Sequence, residues 1–219
     1  MIKLCIFDMD GTVVNTINTI AYFANGALKK NGLAEIETER YKTLVGNGAD
    51  VLVRRMLDIV GGRDECYDKV YNEYNTSYDN DFMYLTEPYD GIIKMLEKLK
   101  DMGVKTSILS NKPDITAKKV SDKLFGDRLV DLCYGARDGK ALKPDPESVF
   151  EIMEIFGMEK NESLYIGDTA TDIQTAKNAG LYSIGVLWGF RSEEELRNAG
   201  ADILISDPMR IVEIAESRI

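Results

Sequence analysis

Histidine is absent from the 219-residue sequence, and its absence excludes two large classes of active site. Neither a histidine-containing catalytic triad nor a histidine-ligated zinc ion can be built without it. Acid–base chemistry must therefore come from carboxylates, lysine, tyrosine or cysteine. Cysteine is scarce as well: Cys5, Cys66 and Cys133 are scattered and odd in number. This pattern favours free thiols in a reducing compartment over a disulfide framework.

Positive charge is in deficit, because 27 lysines and arginines face 37 aspartates and glutamates, for a net charge of −10. Such a surface does not attract nucleic acid or an anionic membrane, so neither is an expected partner. No apolar run approaches transmembrane length, and the N-terminal apolar run is broken by Lys3 and Asp8, unlike a signal peptide. We expect a cytoplasmic protein, monomeric or homodimeric. To bind an anion it needs a local positive site, most simply a metal ion.

Short apolar runs alternate with helical patterns along most of the chain. The apolar runs end in polar residues and lie at 2–8, 104–110, 129–135, 163–168, 182–187 and 202–207. The helical patterns lie at 92–103, 114–125, 146–157, 170–180, 192–200 and 208–217. This alternation predicts an α/β fold in which a mostly parallel sheet is covered by helices on both faces.

Residues 15–86 interrupt this alternation, because they contain helical periodicity alone. The pattern predicts a helical cap at 15–86, inserted into a core made of 1–14 and 87–219. The insertion follows the first strand directly. The cap should therefore sit above the carboxyl end of that strand, the edge at which open α/β sheets bind ligands.

Polar side chains occupy four places that a parallel sheet would bring to one edge. They are Asp8 and Asp10; Ser110, Asn111 and Lys112; Lys143; and Asp168 and Asp172. The structural alternatives are a helix cap for Ser110 or Asn111, a cap for Asp168 or Thr169, a turn for Asp10 and a solvated side chain for Lys143. Taken together, these alternatives do not explain Asp8 and Asp10. Two aspartates so close at a strand end repel each other unless a cation, here a hard divalent ion, offsets their negative charge.

The chemistry that uses such a set is phosphoryl transfer. A phosphate needs a metal ion, a lysine and hydroxyl or amide donors around its oxygen atoms. One aspartate can attack the phosphorus atom, and a second can protonate the leaving group and later activate water. The pair of aspartates after the first strand would divide these two tasks.

Four motifs, in order, resemble those of the haloacid dehalogenase superfamily in its phosphatase branch. They are DMDGT at 8–12, Ser110 after an apolar strand, Lys143 in KPDP, and GDTATD at 167–172. Any one of them is weak alone, but four in order are specific. The resemblance implies a Rossmann-like core with a helical cap, an aspartyl-phosphate and a Mg²⁺ cofactor.

The resemblance also implies a role for each motif residue. Asp8 is the implied nucleophile, Asp10 the general acid and base, and Lys143 the bridge between nucleophile and phosphate. The implied phosphate-binding residues are Gly11, Thr12, Ser110 and Asn111. The implied Mg²⁺ ligands are the side chains of Asp8 and Asp168, the main-chain carbonyl of Asp10, and Asp172 through a water molecule.

Segments 45–52, 110–114, 143–149 and 185–202 are most similar to the phosphoglycolate phosphatases of this superfamily, which implies 2-phosphoglycolate as the small phosphorylated substrate. Asn15, where many relatives carry aspartate, also occurs in a pyrophosphatase group. A sugar-phosphate mutase or phosphatase would keep the same residues. A dehalogenase has no use for Asp10, and a receiver-type signalling domain would lack the helical insertion.

In the predicted cap, Gly46, Asn47 and Gly48 precede a helix. Glycines leave main-chain N–H groups uncovered at a helix N-terminus, where an anion such as a substrate carboxylate can bind. The alternative is a flexible loop in which Asn47 or Asp50 caps the helix, and the charge of Asp50 would weaken an anion site. Arg54 and Arg55 lie off the apolar stripe of the following helix, and we expect both to be solvated.

Overall fold

The chain forms eight β-strands within residues 1–217, the residues that the computed structural model describes. In chain order they are β1 Leu4–Phe7, β2 Val14–Asn15, β3 Glu87–Pro88, β4 Lys105–Pro113, β5 Leu132–Ala136, β6 Ser163–Gly167, β7 Tyr182–Val186 and β8 Ile203–Ile205. Six of them form one parallel sheet in the order β5–β4–β1–β6–β7–β8. The predicted α/β fold is therefore confirmed.

Eleven α-helices accompany these strands in the described part of the chain. The first four are α1 Ile17–Lys30, α2 Thr38–Leu44, α3 Gly48–Val60 and α4 Tyr67–Asn80. The other seven are α5 Ile92–Asp101, α6 Asp114–Leu124, α7 Gly126–Leu129, α8 Glu147–Phe156, α9 Ala170–Ala179, α10 Glu193–Ala199 and α11 Met209–Ser217. None of these described helices combines the length and the apolar character that crossing a membrane requires.

Strand β1 lies inside the sheet, and all four of its side chains are buried. Successive side chains of a strand point to opposite faces, so Leu4 and Ile6 join one apolar cluster while Cys5 and Phe7 join another. Helices α8 and α9 contribute to the first cluster, and α5, α6 and α11 to the second. Burial on both faces explains why this strand is a continuous apolar run rather than an alternating one.

Helices α1 to α4 form a helical cap with an apolar cluster of its own. The chain enters and leaves the cap through the antiparallel ribbon β2–β3, in which Val14 pairs with Pro88 and Asn15 with Glu87. The predicted insertion of a helical cap is confirmed. The exact domain boundaries, placed at 15 and 87 from the sequence, stay a prediction and fall on this ribbon.

The alternative that Ser110 or Asn111 caps a helix does not hold, because β4 continues to Pro113 and α6 begins at Asp114. Two other local features differ from the sequence-based prediction. The strand predicted at 129–135 begins at Leu132, because Leu129 is the last residue of the short helix α7 and residues 130–131 connect that helix to β5. Helix α2 has no counterpart in the sequence-based prediction.

Candidate active site

The four predicted polar places meet at one edge of the sheet. In the register of the sheet, Phe7 at the end of β1 is level with Ile108 of β4 on one side and with Ile166 of β6 on the other. The residues that follow these paired positions in the three strands therefore lie next to one another. Asp8 and Asp168 therefore reach the same carboxyl edge, where open α/β sheets bind ligands.

Lys143 is buried between two carboxylates of this edge, so the solvated alternative is wrong. Its Nζ donates to Asp8 Oδ1 and to Asp172 Oδ1, both at 2.7 Å. Asn111 fixes its main chain, accepting the Lys143 N–H at 2.9 Å and donating to the Lys143 carbonyl at 3.2 Å. Burial disfavours the ammonium form, but Asp172 and Asp8 outweigh it and raise the pKa of Lys143 well above its ordinary value. Lys143 is thus a fixed positive charge beside Asp8.

Asp8, Asp168 and Asp172 form a buried cluster in which one oxygen atom from each lies within 4.8 Å of the others. Burial, followed by repulsion from Asp172, raises the pKa of Asp8 well above its ordinary value despite the neighbouring Lys143. The same two causes raise the pKa of Asp168 to about 7. A divalent cation would offset this repulsion, and carboxylate oxygens are the ligands that Mg²⁺ prefers. The donor set therefore fits the metal that the sequence predicts.

Neighbouring groups hold the two later aspartates of the cluster. Asp168 accepts hydrogen bonds from Thr12 Oγ1 at 3.0 Å and from a main-chain N–H of the loop after β7 at 2.8 Å. Asp172 Oδ2 accepts from the N–H and hydroxyl groups of Thr169, which caps α9. Gly11 has φ +94°, and a Cβ there would lie 2.3 Å from Asp168 Oδ2. The phosphate contacts expected of Gly11 and Thr12 stay predictions.

The side chain of Asp10 lies outside the cluster. Its carboxylate accepts from Thr16 Oγ1 at 2.8 Å, and each of its oxygens lies 3.1 Å from Lys112 Nζ. That ammonium also lies 4.7 Å from the ring centre of Tyr78 on α4. Burial lowers the pKa of Lys112, but Asp10 and Tyr78 outweigh it and raise this pKa above its ordinary value. The Asp10 side chain is therefore not part of the carboxylate cluster, and its role as general acid and base stays a prediction.

A cavity that is open in part to solvent lies between this edge and the cap. Core residues that line it are Asp8, Asp10, Ser110, Asn111, Lys112, Pro113, Thr116 and Lys143. Cap residues that line it are Ile20, Val45, Gly46, Gly48, Ala49, Leu52, Tyr74, Asn75, Tyr78 and Asp79. The core wall is mostly polar and charged, whereas the cap wall is largely apolar and aromatic. This division suits a small ligand whose anionic end faces the sheet.

The predicted cap loop reaches the cavity through its two glycines. Gly46 and Gly48 line it with φ of +108° and +86°, whereas Asn47 is not part of the lining. Asn47 occupies the N-cap position of α3 without a side-chain cap bond, because its Oδ1 accepts from Arg55 Nη2 at 3.0 Å. Arg55 also donates to the Leu44 carbonyl at 2.8 Å. The expectation of a solvated Arg55 is therefore wrong, since this side chain fixes the loop.

Several residues at the site have no role in the sequence-based prediction. Arg191 donates to the Val45 carbonyl of the cap at 2.8 Å, and nothing in its sequence context indicates this contact. Tyr74 and Tyr78 line the cavity from one face of α4, which their spacing of four residues could have indicated. Lys112 directly follows Ser110 and Asn111, the expected phosphate-binding residues, and this position in the sequence could have indicated that it lies at the site.

Comparisons with known proteins agree with this geometry. A family model described as haloacid dehalogenase-like hydrolase matches residues 5–186. The chain belongs to this family. It is 30% identical to the phosphoglycolate phosphatase of Aquifex aeolicus (strain VF5), over 99% of this chain and 98% of that protein.

Two crystal structures of the family have the same fold. A provisionally named phosphoglycolate phosphatase from Lactobacillus delbrueckii subsp. bulgaricus is 28% identical, with a TM-score of 0.92 over 97% of this chain and 98% of that one. A predicted phosphoglycolate phosphatase from Haemophilus somnus is 26% identical, with a TM-score of 0.90 over 97% of each chain. The prediction that the chain is an enzyme, a phosphatase of this family, is confirmed.

Proposed function

We propose that the chain is a Mg²⁺-dependent phosphomonoester hydrolase that works through an aspartyl-phosphate on Asp8. The placement of Asp8 carries the proposal: its buried carboxylate lines the cavity, 2.7 Å from Lys143 and beside Asp168 and Asp172. An anionic phosphate can approach this acidic edge when cations offset its charge. Lys143 supplies one such cation, and the carboxylate cluster fits a second.

In this proposal Asp8 attacks the phosphorus atom while Asp10 donates a proton to the oxygen of the leaving group. Asp10 then takes a proton from the water molecule that hydrolyses the aspartyl-phosphate, which restores Asp8. Lys143 orients Asp8 and pairs with the phosphoryl oxygens, and Ser110 and Asn111 line the cavity beside it.

The residues that would hold Mg²⁺ are Asp8, the main-chain carbonyl of Asp10, Asp168 and, through a water molecule, Asp172. When bound, the ion supplies positive charge to the phosphoryl oxygens. The protein contributes the ordering of these ligands. Hydrogen bonds from Thr12 and Thr169 hold Asp168 and Asp172 before any ligand arrives.

We further propose 2-phosphoglycolate as the preferred substrate. The names of the relatives support this choice, and so does the lining of the cavity by Gly48 at the first residue of α3, where uncovered N–H groups favour an anion. Pyrophosphate and sugar phosphates are the alternatives. The expected cytoplasmic location and the monomeric or homodimeric state stay predictions.

The test is a comparison of kcat/KM for 2-phosphoglycolate, pyrophosphate and β-glucose 1-phosphate with Mg²⁺, measured by release of inorganic phosphate. We expect 2-phosphoglycolate to lead. A higher value for pyrophosphate or the sugar phosphate would overturn the substrate assignment while keeping the reaction. No release from any of the three, nor from p-nitrophenyl phosphate, would overturn the proposed reaction itself.

A further inference from the structure

Lys112 is a buried lysine at the cavity wall, and phosphoryl transfer as proposed above does not use it. Its side chain is 7% exposed, and it extends from the end of β4 towards the cap helix α4. Among the described residues that line the cavity, the other cation is Lys143, which two carboxylates already engage at 2.7 Å. Lys112 is therefore the second positive charge that a ligand meets.

The bonds of Lys112 leave it able to accept a further anionic partner. Its Nζ lies 3.1 Å from both oxygens of Asp10, longer than the 2.7 Å contacts of Lys143. Charge-assisted N–H···O bonds are usually about 2.7–2.9 Å long, so neither contact to Asp10 is tight. An ammonium carries three donors. A ligand carboxylate could therefore bind Lys112 while Asp10 keeps its hydrogen bond from Thr16.

The charge of the cavity makes such a second cation necessary for a doubly anionic ligand. Asp8, Asp10 and Asp79 all line the cavity. The Asp79 carboxylate accepts a hydrogen bond from the hydroxyl group of Thr116, and this neutral donor does not offset the negative charge of Asp79. A substrate that carries a carboxylate besides its phosphate adds negative charge to this set. Lys143 and the proposed metal serve the phosphate end alone.

The position of Lys112 matches the place of a carboxylate in a small substrate. If Asp10 protonates the leaving-group oxygen, that oxygen lies within hydrogen-bond reach of the Asp10 carboxylate. Lys112 Nζ touches the same carboxylate. In 2-phosphoglycolate a single methylene group separates the leaving oxygen from the substrate's carboxylate. A carboxylate at that short distance falls beside Lys112.

We propose that Lys112 is the specificity residue that receives the carboxylate of a short phosphorylated acid, with Tyr78 of the cap covering the pair. This inference rests on the proposed function and names the group that selects its substrate. Lys112 recognises the non-reacting end of the substrate, whereas Lys143 serves the reacting end. The rival explanation is that Lys112 merely positions Asp10, and the two explanations differ in what they predict for a neutral substrate.

The test compares 2-phosphoglycolate with 2-phosphoglycolamide, which has the same shape and a neutral amide in place of the carboxylate. The kcat/KM ratio of the two compounds is measured for wild-type enzyme, Lys112→Met, Lys112→Gln and Lys112→Arg. Lys123→Met, a change of an exposed lysine on α6, is the matched control. Far-UV circular dichroism of each variant reports whether it folds, and the glutamine variant keeps a polar group beside Asp10 in case the methionine variant does not.

We expect wild-type enzyme to prefer the acid and both neutral variants to lose roughly 10- to 100-fold of that preference, the range of a charge-assisted hydrogen bond, mainly through KM. Lys112→Arg should keep part of the preference, and Lys123→Met all of it. An equal loss for acid and amide, with an unchanged ratio, overturns the proposal and leaves Lys112 as a positioning residue for Asp10. Wild-type enzyme that hydrolyses both compounds without preferring the acid refutes the carboxylate receptor in one measurement. Wild-type enzyme that hydrolyses p-nitrophenyl phosphate but neither of these compounds refutes the proposed substrate instead, and release of phosphate from none of the three refutes the proposed reaction.

Discussion

Replacing Asp168 by asparagine should stabilise the metal-free protein above pH 7 while abolishing its stabilisation by Mg²⁺. Asp168 is fully buried beside Asp8 and Asp172, and without a cation its ionised form is disfavoured by burial and by Asp172. Asparagine has the same shape but carries no charge. The substitution therefore removes repulsion from the folded state and removes a metal ligand at the same time.

The magnitude follows from the pKa of Asp168, which rises from 3.8 to about 7 on folding. At about 1.4 kcal/mol per pH unit, this rise corresponds to at most about 4 kcal/mol of unfavourable ionisation above pH 7. Asparagine also weakens the hydrogen bonds from Thr12 and from the Phe190 N–H, at a cost of about 1 kcal/mol each. The net gain for Asp168→Asn should be about 2 kcal/mol at pH 8.

The sign of the pH dependence is fixed by the direction of the pKa change. The folded state holds a proton on Asp168 that the unfolded chain releases near pH 3.8, so this group favours folding at low pH. Its contribution is fully present below about pH 4 and is lost as the pH rises to about 7. Asparagine has no such dependence. The balance between the two proteins should thus move in favour of the variant between pH 4 and 7, and at the acidic end the weakened hydrogen bonds should leave the variant the less stable of the two.

The assay is urea unfolding of both proteins between pH 5 and pH 8, in EDTA and then in excess Mg²⁺. Asp131→Asn is the matched control, because the pKa of Asp131 is shifted in the opposite direction. Burial alone would raise this pKa, but hydrogen bonds from the Thr106 N–H, Lys105 and Lys100 outweigh burial and lower it. That variant should be less stable than wild type at pH 8. In Mg²⁺, wild-type protein should gain stability and Asp168→Asn should not. An Asp168→Asn protein less stable than wild type at pH 8 in EDTA would refute the reasoning.

Four further predictions concern the reaction and the cap. Asp8→Asn should remove nearly all turnover in a folded protein, because an amide is a poor nucleophile, while Asp127→Asn, a change of an exposed side chain on α7, should keep full activity. If Asp8→Asn retained more than a few per cent of activity, the nucleophile assignment would be contradicted. After EDTA treatment, Mg²⁺ should restore activity far better than Ca²⁺, which prefers more and longer bonds, and full activity in EDTA would exclude a metal. Asp10→Asn should slow alkyl phosphates much more than aryl phosphates of acidic phenols, which need little protonation, and equal losses would count against proton transfer. Gly48→Ala and Gly61→Ala both place a side chain at positive φ, so each should cost about 1–2 kcal/mol of stability. Because only Gly48 lines the cavity, only Gly48→Ala should weaken the apparent affinity for phosphoglycolate, measured as a higher KM.

The core of the site could be predicted from the sequence because its geometry follows from the sheet. Parallel strands place their carboxyl ends at one edge whatever the length of the connecting segments. Asp8 and Asp168 are 160 positions apart, yet each follows a strand that pairs with its neighbour in register. The apolar runs predict those strands. No further knowledge of packing is needed to bring the two carboxylates together.

The sequence did not predict helix α2 because that helix buries little. In its seven residues the buried side chains are Tyr41 and Leu44, which is too few to establish a helical period. The segment is held by single polar contacts instead. Tyr41 donates to Asn25 Oδ1 at 2.8 Å, and Arg55 donates to the Leu44 carbonyl. Contacts of this kind depend on tertiary packing and leave no pattern along the chain.

The pairs that join cap and core show where sequence-based inference stops. Lys112 comes from β4, its partner Asp10 from the turn after β1, and the ring beside them from α4 of the cap. Within its own segment, each of these residues could be an ordinary structural residue. The way the cap packs on the core decides which cation faces the cavity. The motifs therefore indicate the reaction that we propose for the sheet edge. The proposed role of Lys112 in substrate choice rests on partners from other parts of the fold, so it could be inferred only from the assembled structure.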